Sequence, residues 1–189
     1  MPPGLQRDLI PRDAALHLIG ALNAMKDQLH DAAQQWELLD ENGHIPAAPS
    51  YTTLLQHAVA AHDLSRGVLR LAADFARTPH HITPAGSTVL KRLATATTMS
   101  SHAATHFTET AECALALSRA DSTDRHHLTN RMVIDHSSAR AYLRSASESL
   151  GDAAKELNEH LGFQRFLTTL TRQENVPTRP RGQPDGRHR

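Results

Sequence analysis

The chain has 189 residues, and its 20 basic side chains (Lys and Arg) balance its 20 acidic ones. This length fits a single domain, and a neutral chain is not expected to hold nucleic acid by bulk charge. The single cysteine, Cys113, excludes an intrachain disulfide and a cysteine-rich zinc site and is compatible with a reducing cytoplasm. Because no stretch approaches about 18 consecutive apolar residues and no secretory signal is evident, we expect a cytoplasmic protein without a membrane partner.

The residue content and its spacing predict an all-α protein. Leu and Ala, which favour helix, dominate the apolar residues, and no convincing run alternates apolar and polar side chains as a half-buried strand would. Four long helices can be drawn between Pro, Gly and capping residues: Pro11 to Asn42, Tyr51 to Arg77, Thr83 to Arg119, and Asp121 to about Leu161, the last followed by a short helix over Phe163 to Leu170. The threonines of the third helix weaken its intrinsic helicity, so a kink between Thr95 and Ser101 is allowed.

Each predicted helix carries one apolar stripe that must be buried. Four such helices joined by short loops are typical of an antiparallel, up-down-up-down four-helix bundle. We therefore predict a loose N-terminal segment (1–10), a bundle domain (11–170) and a disordered basic tail (171–189). The tail is rich in Pro, Gly and Arg and has little apolar surface to bury.

The third helix contains the pair His102-x-x-x-His106, whose spacing places both rings on one helix face, as a metal site requires. Glu109 and Cys113 continue the same stripe. A helical wheel centred on Phe107 directs these four residues away from the apolar face, which predicts an exposed stripe facing solvent or a partner. It also predicts an exposed Cys113 whose acidic neighbours disfavour a thiolate.

Further histidines fall near this pair when positions are reflected about the loops of an up-down-up-down bundle. The reflection places Asp135 and His136 beside His106 and Phe107, with His57 at nearly the same level. A speculative ligand set for a divalent metal such as zinc is then His57, His62, His102, His106 and His136. The alternative is that Asp135, a buried polar residue of the fourth stripe, pairs with an Arg or a His, because a buried carboxylate needs such a partner.

Two resemblances accompany these patterns. DinB-like bundles bind a metal with three histidines from two helices, and this chain is similar to them in having a histidine on its second helix and an HxxxH pair, although here the pair lies on the third segment. The motif Arg7-Asp8-Leu9-Ile10-Pro11-Arg12, followed by Ala14-Ala15-Leu16, resembles the start of small uncharacterised actinobacterial helical proteins. That second resemblance implies no activity.

No assembled catalytic motif, phosphate loop or dinucleotide fingerprint is present. The sequence therefore favours a non-enzymatic bundle without a cofactor, which acts through a protein partner or through self-association. The runner-up is the histidine-rich metal-binding bundle, with or without catalysis. A third hypothesis is a nucleic-acid accessory protein that uses its tail arginines, Arg172, Arg179, Arg181, Arg187 and Arg189.

Overall fold

A computed structural model describes residues 9–39, 45 and 50–174 of the chain. This part contains four α-helices and no strand, so the all-α prediction is confirmed. The helices are α1 (Arg12–Gln35), α2 (Tyr51–Ala76), α3 (Pro84–Leu117) and α4 (Ser122–Glu174), with a short 3-10 helix at Pro79–Ile82. None of the helices described has both the length and the apolarity that a membrane span needs.

The four helices form the predicted antiparallel, up-down-up-down bundle. Along each packed pair of helices, residue numbers rise on one helix as they fall on the other. The contacts that show this are His62–Thr108 and Ser65–Ser101 between α2 and α3, and Arg92–Asp152 and His106–Asp135 between α3 and α4. Lys26–Ser147 and Ala33–Arg140 show it between α1 and α4. α4 is in contact with both α1 and α3 along its length. It therefore joins α1 to α3, while α2 packs mainly on α3.

The predicted apolar stripes form the core. Large side chains with no more than 1% of their surface exposed come from every helix, and they are Leu22, Leu29, Val68, Val89, Leu93, Phe107, Met132, Leu143, Leu150 and Leu157. Between them lie small residues that allow the helices to approach closely. At the α2–α3 seam, for example, the Ser65 hydroxyl lies 3.1 Å from the Ser101 hydroxyl, and Ser100 is fully buried.

The helix starts follow the capping residues that the sequence indicates. The Ser50 hydroxyl accepts a hydrogen bond from the Thr53 N–H at 3.3 Å, and Thr83 accepts one from Gly86 at 3.0 Å. Asp121 caps α4 by accepting from the Asp124 N–H at 3.0 Å. These side chains satisfy N–H groups that have no partner within the first turn of a helix.

α1 ends at Gln35, seven residues before the predicted Asn42. Trp36 leaves the helical conformation and turns its ring onto His57, where the two rings stack with centroids 5.0 Å apart. The Nε–H of Arg140 on α4 donates to the Ala33 carbonyl at 2.7 Å, which satisfies an acceptor of the last turn. Tertiary contacts therefore override the apolar periodicity that predicted a longer helix.

α3 and α4 are continuous where the sequence allowed interruptions. The hydroxyls of Thr95, Thr97 and Thr98 donate to the carbonyls four residues earlier, so these side chains find partners without breaking α3. α4 continues through Gly162 to Glu174. A single helical glycine costs only about 1 kcal/mol, which a helix of 53 residues held by two neighbours can absorb.

The two predicted terminal segments lie largely outside the described residues, since these begin at residue 9 and end at residue 174. Ile10 is only 1% exposed. Its N–H donates to His160 Nε2 at 3.1 Å, and its carbonyl accepts from the Gln164 amide at 2.7 Å. The chain therefore begins α1 already fixed to α4. The nucleic-acid hypothesis, which depends on the tail, stays a prediction.

Candidate metal centre

One histidine and two carboxylates converge at the seam between α3 and α4. His106 Nδ1 lies 3.1 Å from Glu109 Oε2 and 3.2 Å from Asp135 Oδ1. His106 and Glu109 are one helical turn apart on α3, so their side chains share a face, and α4 brings Asp135 to them. Among the described residues these three form the group of metal-ligating side chains whose ligand atoms all lie within 4.8 Å of one another.

The three residues differ in their access to solvent. The side chains of His106 and Glu109 are 27% and 34% exposed, whereas that of Asp135 is 10% exposed. Asp135 Oδ2 is buried and accepts no hydrogen bond. Its nearest cationic partner is Arg131 Nε, one turn earlier on α4, at 3.5 Å and outside hydrogen-bond geometry. The site thus has a buried, incompletely satisfied carboxylate at its base and an open side toward water.

Tyr142 holds the His106 ring in place. The two rings stack nearly parallel, with centroids 5.6 Å apart and an angle of 9° between their planes. Tyr142 also stacks on His102, at 5.3 Å and 29°. The HxxxH pair therefore shares one aromatic neighbour on α4, and this contact orients the His106 ring.

The buried position of Cys113 corrects one prediction from the helical wheel. The stripe from His106 to Cys113 does not face away from the bundle, and Cys113 is only 5% exposed. The wheel assumed a single buried stripe, but α3 packs against α2 on one side and α4 on the other, so a wider arc of its surface is covered. Burial raises the pKa of the Cys113 thiol; Arg131 lowers it, while Asp135, Glu112 and Glu109 raise it further.

Two of the five predicted histidine ligands are exposed on the bundle surface and do not join the group with the carboxylates. His62 is exposed, and its Nε2 lies 3.4 Å from the Thr108 hydroxyl. Thr108 is two residues beyond His106 and points to the opposite side of α3, because each residue turns the helix by about 100°. His62 and His106 therefore cannot share an ion. His102 is exposed beside Tyr142.

His57 and His136 are enclosed around Phe107. His57 packs against Trp36, and His136 meets the Phe107 ring edge-on with centroids 5.5 Å apart. His57 Nδ1 and His136 Nε2 are both buried without a hydrogen-bond partner. Burial lowers the pKa of His57, and burial together with Arg140 and His57 lowers the pKa of His136 to about 4. Both rings are therefore neutral at pH 7.

Only His106 of the predicted ligand set belongs to the converging group. Glu109 and Asp135 complete it, although the sequence pattern predicts Glu109 only as a member of a stripe and Asp135 only as a buried polar residue. The signal for Glu109 was its spacing of three from His106, and the signal for Asp135 was its place in an apolar stripe at the level of His106. Comparison with known protein families, with curated proteins and with solved structures found no match.

Proposed function

We propose that this protein binds one divalent transition-metal ion between α3 and α4, with His106, Glu109 and Asp135 as ligands. The observation that carries the proposal is the separation of the ligand atoms. Adjacent ligands of an ion with bonds of about 2.0–2.2 Å lie roughly 3.0–3.5 Å apart. His106 Nδ1 lies 3.1 and 3.2 Å from its two carboxylate neighbours.

The state of the carboxylates supports the same proposal. One Nδ1–H of a neutral imidazole has a single proton to donate, yet two carboxylate oxygens face it. Asp135 Oδ2, buried and without a hydrogen bond, adds a further unsatisfied acceptor. Leaving a buried acceptor unsatisfied costs about 1–3 kcal/mol, more for a charged group. A cation at this point would remove that cost.

The donor set indicates which ions to expect. Imidazole nitrogen suits zinc and iron, and carboxylate oxygen also accepts manganese. Three protein ligands leave at least one coordination position for water. The proposal concerns binding, and zinc is the probe because it accepts both donor types at four-coordination.

Zinc titration of the full-length, tag-free protein tests the proposal. After treatment with chelator, isothermal titration calorimetry is expected to show one tight site per chain, with a rise in melting temperature because zinc binds the folded state. Asp135→Asn keeps the shape of the side chain and removes its charge. We expect it to weaken zinc binding at least about 100-fold, since even the loss of a supporting partner of a ligand costs about 10–100-fold.

Asp152→Asn is the matched control. Asp152 is another α4 carboxylate in contact with α3, where it pairs with Arg92 at 3.2 Å. Its substitution should leave zinc affinity unchanged. Several weak sites that Asp135→Asn does not alter would mean adventitious binding by surface histidines. That result, or less than about 0.1 zinc per chain, would overturn the proposal and leave the group as an ion-pair network between the helices.

A second candidate function, association with another copy of the chain, rests on the far end of α4. Beyond the contact between Ile10 and Gln164, α4 continues for about three turns past the start of α1. Around and beyond this contact, Phe163, Phe166 and Leu170 are 53%, 59% and 43% exposed. Their spacing of three and four places them on one helix face, as in a helix–helix interface.

Light scattering with size-exclusion chromatography tests this second candidate. We expect a dimer at tens of micromolar and a monomer for Phe166→Ser. Thr168→Ser, another exposed position on the same turns, is the control and should remain dimeric. A wild-type protein that is strictly monomeric at this concentration would remove the candidate.

A further inference from the structure

We infer that Arg131 competes with the bound ion, and thereby sets the ion concentration at which the site fills. This inference rests on the proposed metal-binding function. Arg131 Nε lies 3.5 Å from Asp135 Oδ2, the carboxylate oxygen without a hydrogen bond. Its side chain is 55% exposed, so the guanidinium can move from the carboxylate into solvent.

The charges explain the competition. Glu109 and Asp135 supply two negative charges, and Arg131 places one positive charge beside Asp135. A divalent ion fully compensates the two carboxylates, so an adjacent guanidinium leaves the loaded site with an excess positive charge. Two charges of +2 and +1 at about 6 Å repel one another even in a medium as polar as water, by an amount equivalent to roughly a tenfold change in affinity.

The position of Arg131 is set by the helix rather than by the ion. Arg131 and Asp135 are four residues apart on α4, a spacing at which side chains of opposite charge meet on the helix surface. The guanidinium therefore lies against the carboxylate that would bind the ion. An ion must therefore displace or tolerate the guanidinium when it binds.

Zinc affinities of four full-length proteins test the inference: wild type, Arg131→Gln, Arg131→Lys and Arg144→Gln. Arg131→Gln should bind zinc about ten times more tightly, because the repulsion is removed. Arg131→Lys keeps the charge and should stay close to wild type. Arg144, an exposed arginine farther along the same helix, reports any effect of total charge on affinity.

A salt series adds a readout that a merely structural role would not give. The advantage of Arg131→Gln should shrink as ionic strength rises from 0.02 to 0.5 M, since salt screens interactions between exposed charges. Circular dichroism of each variant verifies that the bundle is intact. Equal or weaker zinc binding by folded Arg131→Gln overturns the inference.

The outcomes also separate this inference from the function on which it rests. If wild type and Arg131→Gln bind one zinc with equal affinity, the metal site stands and the competition does not. If neither binds zinc, both proposals fall. If only Arg131→Gln binds zinc, the competition is stronger than tenfold and both are supported.

Discussion

Phe107 separates two groups of histidines that lie at one level of the bundle but have opposite surroundings. On the α3–α4 seam, His106 faces two carboxylates and is 27% exposed. On the inner side, His57 and His136 surround the Phe107 ring, each with a buried nitrogen that has no partner. Histidine is therefore accessible and next to carboxylates at the α3–α4 seam, whereas on the inner side it is part of the aromatic core.

The geometry of α3 produces this difference. His106 and Phe107 are consecutive, so their side chains point about 100° apart. Phe107 is directed into the core, while His106 emerges at the edge of the seam. Among the described residues, neither His57 nor His136 belongs to a group of potential metal ligands that includes a carboxylate, and a divalent ion beside them would be very costly without an anionic ligand. Carboxylate neighbours, rather than the number of histidines, identify the candidate site.

The largest expected effect comes from removing the Phe107 ring, which lies between the two groups of histidines. Phe107→Ala should lower the free energy of unfolding by about 3–5 kcal/mol, because the ring is fully buried among Trp36, His57 and His136. Urea unfolding of the wild type and the variant in the presence of a chelator measures this loss of free energy. We expect zinc binding at the seam to survive, since no ligand is removed and the side chains of His106 and Phe107 point about 100° apart on α3.

Phe107→Leu is the matched control because it keeps most of the buried apolar volume, and its loss of stability should be less than half as large. Should zinc binding disappear in Phe107→Ala while the bundle remains folded, the two histidine regions would be one coupled unit and not two independent ones.

Acidification should lower the free energy of unfolding, because buried histidines of the inner region must take up protons. His136 has its pKa lowered to about 4 in the folded protein, whereas the unfolded chain titrates near the ordinary value of about 6.5. Below pH 6.5 the unfolded state therefore binds more protons, and stability is lost as pH falls from 6.5 toward 4. This histidine alone should cost about 3 kcal/mol over that range, and His57, whose pKa burial also lowers, adds to the loss.

Urea unfolding of chelator-treated protein between pH 7.5 and 4.5 measures this dependence. His136→Leu removes the titrating ring and should flatten the profile, while His127→Leu, at an exposed position, should reproduce the wild-type slope. A His136→Leu profile as steep as that of wild type would show that the loss belongs to other groups.

The fold was predictable from sequence because the apolar stripes are long and regular. Helix starts followed from Ser50, Thr83 and Asp121, whose side chains bind the first turn of each helix. The end of α1 was not predictable, since it depends on the stacking of Trp36 on His57 and on a capping bond from Arg140. Such tertiary contacts leave no local periodicity in the sequence.

The candidate site was only partly predictable for the same reason. Reflection about the loops correctly placed Asp135 beside His106, because antiparallel neighbours have a definite register. It could not show on which side of α3 each histidine lies, so His57, His62, His102 and His136 were grouped with His106. A shift of one residue turns a side chain by about 100°, and register alone does not resolve that angle.

The smallest expected effect tests whether the seam holds His106 in a fixed orientation. Tyr142→Leu removes the ring that stacks on His106 at 5.6 Å, and we expect zinc affinity to fall about two- to tenfold, which corresponds to about 0.5–1.5 kcal/mol, the usual energy of an aromatic pair. Tyr142→Phe keeps the ring and should restore wild-type affinity. Calorimetric titration resolves this difference. The free energy of unfolding of the chelator-treated Tyr142→Leu protein should change by less than about 1 kcal/mol, because Tyr142 is only half-buried. If the Tyr142→Leu and Tyr142→Phe variants bind zinc with equal affinity, the Tyr142 ring does not position His106. The open side of the α3–α4 seam is then less ordered than the aromatic cluster around Phe107.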